Sequence, residues 1–293
     1  MGDGQLRFDG KVAAITGAGS GRGRAYARLL AARGARLIVH DMPGGDGSPG
    51  PAEVVRDEII ADGGTAIAYS GSVADPQSGP ALVATAIRTW GQLDILVSNA
   101  GIARDRSFAQ MTASDFAAVL QWHIIGTAAM THAAWRPMLD QGYGRIVLTT
   151  SAAGLFGNPG QANFAAATST FIGMARTLAL EGADSGVLVN LISPDPDAAL
   201  PASQRREDGR AKRATANLAG ADHAAPMVAY LCHESCQVSG QIFAARGGRF
   251  ARDLIVETPG YDCAMPTIED IAAHLPQIMD AATWSVPETP AKV

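Results

Sequence analysis

Cysteine is scarce in this chain. Three thiols in 293 residues, Cys232, Cys236 and Cys263, are too few and too unevenly spaced for a disulfide framework, so a reducing, cytoplasmic setting is expected. Cys232-His233-Glu234-Ser235-Cys236 offers soft ligands. Its C-x-x-x-C spacing has no second ligand pair, and no metal site is expected. Positive charge is also short. The 23 Lys and Arg against 28 Asp and Glu leave a formal net charge of −5, and no dense basic patch offsets it, which argues against a nucleic-acid partner. No apolar run reaches the ~20 residues that cross a bilayer, and the first residues are polar, without the apolar core of a secretory signal. Met1-Gly2 is followed by Leu6 where myristoylation needs Ser or Thr. Charged residues make up only 17% and hydrophobic ones 47%; at this length that fits one or two domains with a large core.

What is abundant is a regular alternation. Strand-like apolar runs fall at 12–16, 36–40, 65–69, 94–98, 145–150, 187–192 and 240–245. Helical stretches lie between them at 22–33, 52–62, 79–90, 113–140, 161–182 and 222–233. Runs such as Ile95-Leu96-Val97 and Ile146-Val147-Leu148 are continuous rather than alternating, as in strands covered on both faces. This βαβ rhythm predicts an α/β fold: a doubly wound (Rossmann) seven-stranded parallel sheet with helices on both faces and a ligand at the carboxyl ends of the strands. One domain is expected over 8–250, followed by an extension over 251–293. The extension carries a helix from Thr267 to Ala282 and a Pro-rich end, packed on the domain or on a neighbouring subunit.

Two segments break the rhythm. Residues 43–51 form a long Gly/Pro/Asp loop after the second strand. Residues 195–221, including Arg205-Arg206-Glu207-Asp208, are polar and charge-mixed, which fits either a substrate lid or a plain surface excursion.

The first strand runs into Thr16-Gly17-Ala18-Gly19-Ser20-Gly21-Arg22-Gly23, and a helical run starts at Arg24. Strand, glycine loop and helix form the context in which such a loop cradles phosphate: glycine admits close backbone approach, and the helix start offers free N–H groups. The spacing is G-x-x-x-G-x-G rather than G-x-G-x-x-G. Asp41 lies eighteen positions past Gly23, at the end of the second apolar run. A carboxylate there accepts hydrogen bonds from an adenosine ribose and repels a 2′-phosphate, which favours NAD over NADP.

Together with Ser98-Asn99-Ala100-Gly101, Arg104-Asp105-Arg106-Ser107-Phe108, Gly144-Arg145-Ile146-Val147, Gly157-Asn158-Pro159-Gly160-Gln161-Ala162-Asn163 and Leu231-Cys232-His233-Glu234-Ser235-Cys236, the loop makes the chain resemble the short-chain dehydrogenase/reductase superfamily. Within it, the chain is most similar to the (3R)-hydroxyacyl-CoA dehydrogenase modules of multifunctional β-oxidation enzymes. The resemblance covers nearly all of 8–250. It implies NAD as cofactor, held by Gly17, Ser20, Gly21, Arg22, Gly23, Asp41, Asn99, Ala100, Gly101 and Pro194. It implies a small-molecule substrate, an acyl-CoA in the closest modules. It also implies that Ser151 donates to the reacting carbonyl oxygen, and that a Tyr thirteen residues on and a Lys four further form the acid–base pair.

Those two positions hold Phe164 and Thr168. Phe has no titratable proton and Thr no charge. Tyr26, Tyr69, Tyr143, Tyr230 and Tyr261 all lack a Lys four residues later, so no shifted register restores the pair. His123 stands where many family members have an Asn that relays protons through water, and is either a structural histidine or a proton relay. The family packs the helix carrying this pair against a second copy. Ala165 to Ala167 give a small-residue face there, so a homo-oligomer, dimer or tetramer, is expected, or else a pairing with an active homologue. Phe156 either lines the cleft or packs in the core. Three readings follow: an NAD(H)-binding member without ordinary turnover; a working oxidoreductase using His123 or a water held by Ser151; or another enzyme class on the same fold.

Overall fold

The computed structural model describes residues 4–45, 48–195 and 218–287. The expected lid, 195–221, lies outside the described residues apart from Asp195 and the backbone at the start of one helix.

Every predicted strand forms: β1 (Val12–Thr16), β2 (Arg36–Asp41), β3 (Thr65–Ser70), β4 (Ile95–Ser98), β5 (Gly144–Thr149), β6 (Val187–Pro194) and β7 (Ile242–Arg246). The sheet order is β3-β2-β1-β4-β5-β6-β7-β8, and β1 to β7 pair in parallel, for example Ile15 with Val39 on one side and with Val97 on the other. The sheet has eight strands, not seven. The eighth, β8 (Arg249–Asp253), follows β7 after Gly247 and Gly248, at φ 54° and 80°. A two-residue link joins only antiparallel neighbours, and both turn residues need the left-handed region, where glycine is free of strain.

Helices α1 (Gly21–Ala32), α2 (Pro51–Ala61) and α8 (Leu218–Cys232) cover one face; α3 (Ser78–Trp90), α4 (Ala113–Leu120), α5 (Gly126–Gln141) and α7 (Ala162–Gly182) cover the other. Strand residues alternate between the faces. Ile15, Val39, Val97 and Ile192 pack with Tyr26, Leu30, Val55 and Val228, while Ala14, Ile38, Leu96 and Leu191 pack with Leu82, Met130 and Phe171. Both sets are buried, which is why the strands read as continuous apolar runs.

The pattern over 113–140 predicts one helix. It is interrupted by a π turn at Gln121–Ile125 that carries His123. A short helix, α6 (Ala152–Phe156), precedes α7. The small residues 165–167 do not form one face: Ala167 is buried in the core and Ala166 is exposed, because neighbours on a helix are turned by about 100°.

The chain divides into two compact units, Met1–Ala251 and Arg252–Val293. In the second, α9 (Ile268–Ile278) starts at Thr267, whose hydroxyl accepts from Asp270 N while the Asp270 carboxylate accepts from Thr267 N. The Tyr261 ring stacks on His274 at 3.7 Å, and Glu257 and Ser285 exchange two backbone hydrogen bonds.

Candidate nucleotide and substrate site

The chain turns from β3 back past β1 to β4, so the crevice lies between the carboxyl ends of β1 and β4. Thr16 ends β1. Its buried Oγ1 accepts from Asn99 N at 3.0 Å and Ala100 N at 3.1 Å. Asn99 Nδ2 donates back to Thr16 O and Gly17 O at 3.3 and 3.2 Å. The loop after β1 is therefore sewn to the end of β4. Side chains have no room there: a Cβ on Gly17, which sits at φ 65°, would lie 2.9 Å from Ala100 Cα, and one on Gly23 would land on Gly17 O. This is a cradle that a Cβ would fill, and it suits a pyrophosphate laid against backbone N–H groups. Ser20 heads α1 without a capping hydrogen bond from its side chain, which leaves the first-turn N–H groups available to a ligand.

Asp41, at the end of β2, accepts from Gly19 N and Met42 N, both at 2.8 Å, one on each carboxylate oxygen. It is fixed beside the loop with lone pairs to spare. Arg22 reaches across the crevice to donate to Asp195 O at 2.8 Å. That contact spans 173 positions, and no local sequence signal announces it. Burial draws the guanidinium pKa down.

Beyond the loop lies a cavity of about 350 Å³. Arg22, Asn99, Ala100, Gly101 and Pro194 line it on the nucleotide side; His123, Ser151, Phe164 and Thr168 line it on the other. Phe156 and Thr149 also border it. Phe156 is 69% exposed, so it is not a core residue. Gly17, Ser20, Gly21, Gly23 and Asp41 lie outside this cavity, in and beside the loop.

Ser151 caps α6, with Oγ accepting from Gly154 N at 2.9 Å. Phe164 and Thr168 are one turn apart on α7, on the same face. Thr168 Oγ1 lies 2.8 Å from Ser151 Oγ and donates to Phe164 O at 2.9 Å. Thr150 Oγ1 donates to Thr168 O at 2.9 Å, fixing α7 against the end of β5. The His123 and Phe164 rings are perpendicular, with centroids 5.2 Å apart. His123 Nε2 meets the backbone of Ile102, 3.1 Å from N and 2.9 Å from O, so the tautomer decides which bond forms. Burial lowers its pKa, which favours the neutral ring. A Cβ on Gly101 would land on this ring, which accounts for glycine there. Among the described residues, the only titratable side chains bordering the cavity are Arg22 and His123. Neither is a carboxylate, phenol, amine or thiol.

A doubly wound sheet with a glycine cradle at its switch point and an adjoining cavity is the architecture of a Rossmann-type nucleotide-binding fold. The short chain dehydrogenase family model matches residues 11–207, and the chain belongs to that family. It is 44% identical over 250 residues to the peroxisomal multifunctional enzyme type 2 of Drosophila melanogaster, covering 84% of this chain and 40% of that one. It is 33% identical over 250 residues to the 3-oxoacyl-[acyl-carrier-protein] reductase of Escherichia coli, covering 84% of this chain and 99% of the reductase. A solved short chain dehydrogenase from Mycobacterium avium superposes with a TM-score of 0.80 at 34% identity, covering 97% and 99% of the two chains. The chain spans 27% to 40% of the length of the multifunctional-enzyme relatives from fly, mouse and yeast. Among the described residues, no helix is long and apolar enough to cross a membrane.

Proposed function

We propose that the chain binds NAD(H) in the glycine cradle and a secondary alcohol or ketone, an acyl thioester by preference, in the adjoining cavity, and that its redox turnover is strongly impaired. The observation that carries this reading is the wall formed by Ser151, Phe164 and Thr168, which lacks an acid of suitable strength beside an otherwise furnished nucleotide crevice. NAD(H) when bound supplies or takes the hydride. The chain's own groups then hold the nucleotide through the cradle and Asp41, and hold the reacting oxygen near Ser151. Missing general acid–base help alone costs roughly 10²–10⁴-fold in rate. The acyl preference rests on the names of the relatives. The NAD preference rests on Asp41, whose negative charge opposes a 2′-phosphate.

A second reading has His123 as proton carrier, supported by its contact with Phe164 at the same cavity. Against it, Nε2 is engaged with Ile102. A cytoplasmic setting and a homo-oligomer, or a complex with an active homologue, belong to the same proposal. The test is fluorescence titration with NADH and NADPH, followed by turnover assays with 3-hydroxyacyl-CoA substrates. NADH binding tighter than NADPH is expected, with Asp41→Asn narrowing the gap by at least tenfold. Turnover in the ordinary range of ~1–10³ s⁻¹ would overturn the impaired reading, and failure to bind NADH would overturn the cradle.

A further inference from the structure

We infer that Thr168 takes the Ser151 proton, so that Ser151 faces the cavity as a hydrogen-bond acceptor and the cavity takes a ligand hydroxyl in preference to a carbonyl oxygen. This rests on the reading above that the cavity receives a secondary alcohol or ketone.

A hydroxyl has one proton and two lone pairs. Thr168 Oγ1 is 2.9 Å from Phe164 O. A carbonyl has no proton to give, so in this bond Thr168 donates. Its single proton is then committed. The 2.8 Å contact between Ser151 Oγ and Thr168 Oγ1 is therefore a bond in which Ser151 donates. Protons run Ser151 to Thr168 to Phe164 O. One Ser151 lone pair already accepts from Gly154 N at 2.9 Å. What Ser151 retains for the cavity is its second lone pair.

The chain of bonds is locked in place. Thr168 is 1% exposed, so water does not replace a partner it loses. A Cβ on Gly154 would lie 2.5 Å from Thr168 Oγ1, so α6 packs directly on that hydroxyl. Thr150 holds the same turn of α7. Reversing the Ser151–Thr168 bond would free the Ser151 proton for a ligand, but it would also give up the bond to Phe164 O. A ligand that donates, such as a secondary hydroxyl, meets the lone pair without any rearrangement. A ligand that only accepts, such as a ketone, must first turn both hydroxyls. One net hydrogen bond separates the two cases, on the order of five- to tenfold in affinity. Thr168 is thus a specificity-determining residue that acts through Ser151, and the family's contact from this serine to a carbonyl oxygen is disabled in the resting arrangement.

The test uses the full chain and calorimetric titration with a matched pair, (3R)-3-hydroxybutyryl-CoA with NADH bound and acetoacetyl-CoA with NAD⁺ bound, so that neither complex can react. Native protein is compared with Thr168→Val, which keeps the shape and removes the hydroxyl, and with Thr168→Ser, which retains it. Comparing variant with native cancels the difference in cofactor state. The ratio of ketone to alcohol dissociation constants should fall five- to tenfold in Thr168→Val, mainly through tighter ketone binding, and stay within twofold in Thr168→Ser. An unchanged ratio in Thr168→Val, with both ligands still bound, overturns the inference and leaves the cavity reading intact. If neither ligand binds any of the three proteins, the cavity reading itself fails. The hydrogen-bond chain is then decided without ligand by neutron diffraction: a Ser151 deuteron aimed at Thr168 Oγ1 supports it, and one aimed into the cavity overturns it.

Discussion

Restoring the missing pair, Phe164→Tyr with Thr168→Lys, should turn an impaired protein into a working dehydrogenase. The Phe164 ring borders the cavity, perpendicular to His123, so Phe164→Tyr adds a phenol hydroxyl to a ring in the cavity wall. Tyr alone is a poor base. With a reference pKa near 10, about 1% of it is ionised at a pH of about 8. A lysine ammonium one turn away favours the phenolate and recovers roughly 10² of that loss. The substitution at 168 has a structural cost. It removes the bond to Phe164 O and the acceptor for Ser151, about 1–3 kcal/mol for two hydrogen bonds. It also crowds the α6 turn lying against residue 168 and buries an ammonium there, which adds a further cost of about 1–3 kcal/mol from overpacking alone against a total stability of about 5–15 kcal/mol. The expected order is native and Thr168→Lys at background, Phe164→Tyr slightly above, and the double variant roughly 10²–10⁴-fold above native. The assay follows NADH formation from NAD⁺ and a 3-hydroxyacyl-CoA, with thermal unfolding run alongside to confirm folding. A double variant that is folded and binds NADH yet stays at background would refute the reasoning, because the defect would then lie in the substrate cleft and not in proton transfer.

Two further outcomes concern the frame around the site. Thr16→Val removes the acceptor shared by Asn99 N and Ala100 N and strands two half-buried N–H groups; urea unfolding should report a loss of about 1–3 kcal/mol, with weaker NADH binding, and a loss under about 0.5 kcal/mol would mean that the sewn switch point contributes little. His40, stacked on Tyr69 with both ring nitrogens buried and without hydrogen-bond partners among the described residues, has its pKa pushed down by burial from 6.5 to about 4. Between those two values the unfolded chain binds more protons than the folded one, so stability should fall as pH drops through that window, by up to about 3 kcal/mol from this residue. Urea midpoints measured across it for native protein and His40→Phe should show the shallower slope in the variant; parallel slopes would assign the acid sensitivity elsewhere.

The fold was legible because a strand covered on both faces has little freedom of composition. Val12 to Ile15 and Ile95 to Val97 are apolar at every position, since each side chain has a helix to meet. β8 escaped that logic. Arg249, Phe250 and Arg252 are charged or exposed, and its signal was the Gly247-Gly248 pair rather than hydrophobicity. The π turn at His123 escaped for another reason: one extra residue in a helix shifts a hydrogen bond but leaves the apolar spacing over 113–140 nearly intact. At the site, the glycine spacing and the residues at 164 and 168 could be read directly, because motif position is a property of the chain. The direction of the Ser151–Thr168 bond could not. It depends on a carbonyl of the preceding turn of α7 and on the α6 turn laid against Thr168, partners that only the folded backbone brings within 3 Å. The same substitution therefore acts twice. The identity of residue 168 removes a charge, which sequence reveals, and its hydroxyl redirects a neighbour's proton, which only the geometry reveals. Comparing Thr168→Val with Thr168→Lys separates the two effects, since both abolish the redirection and only one supplies the charge.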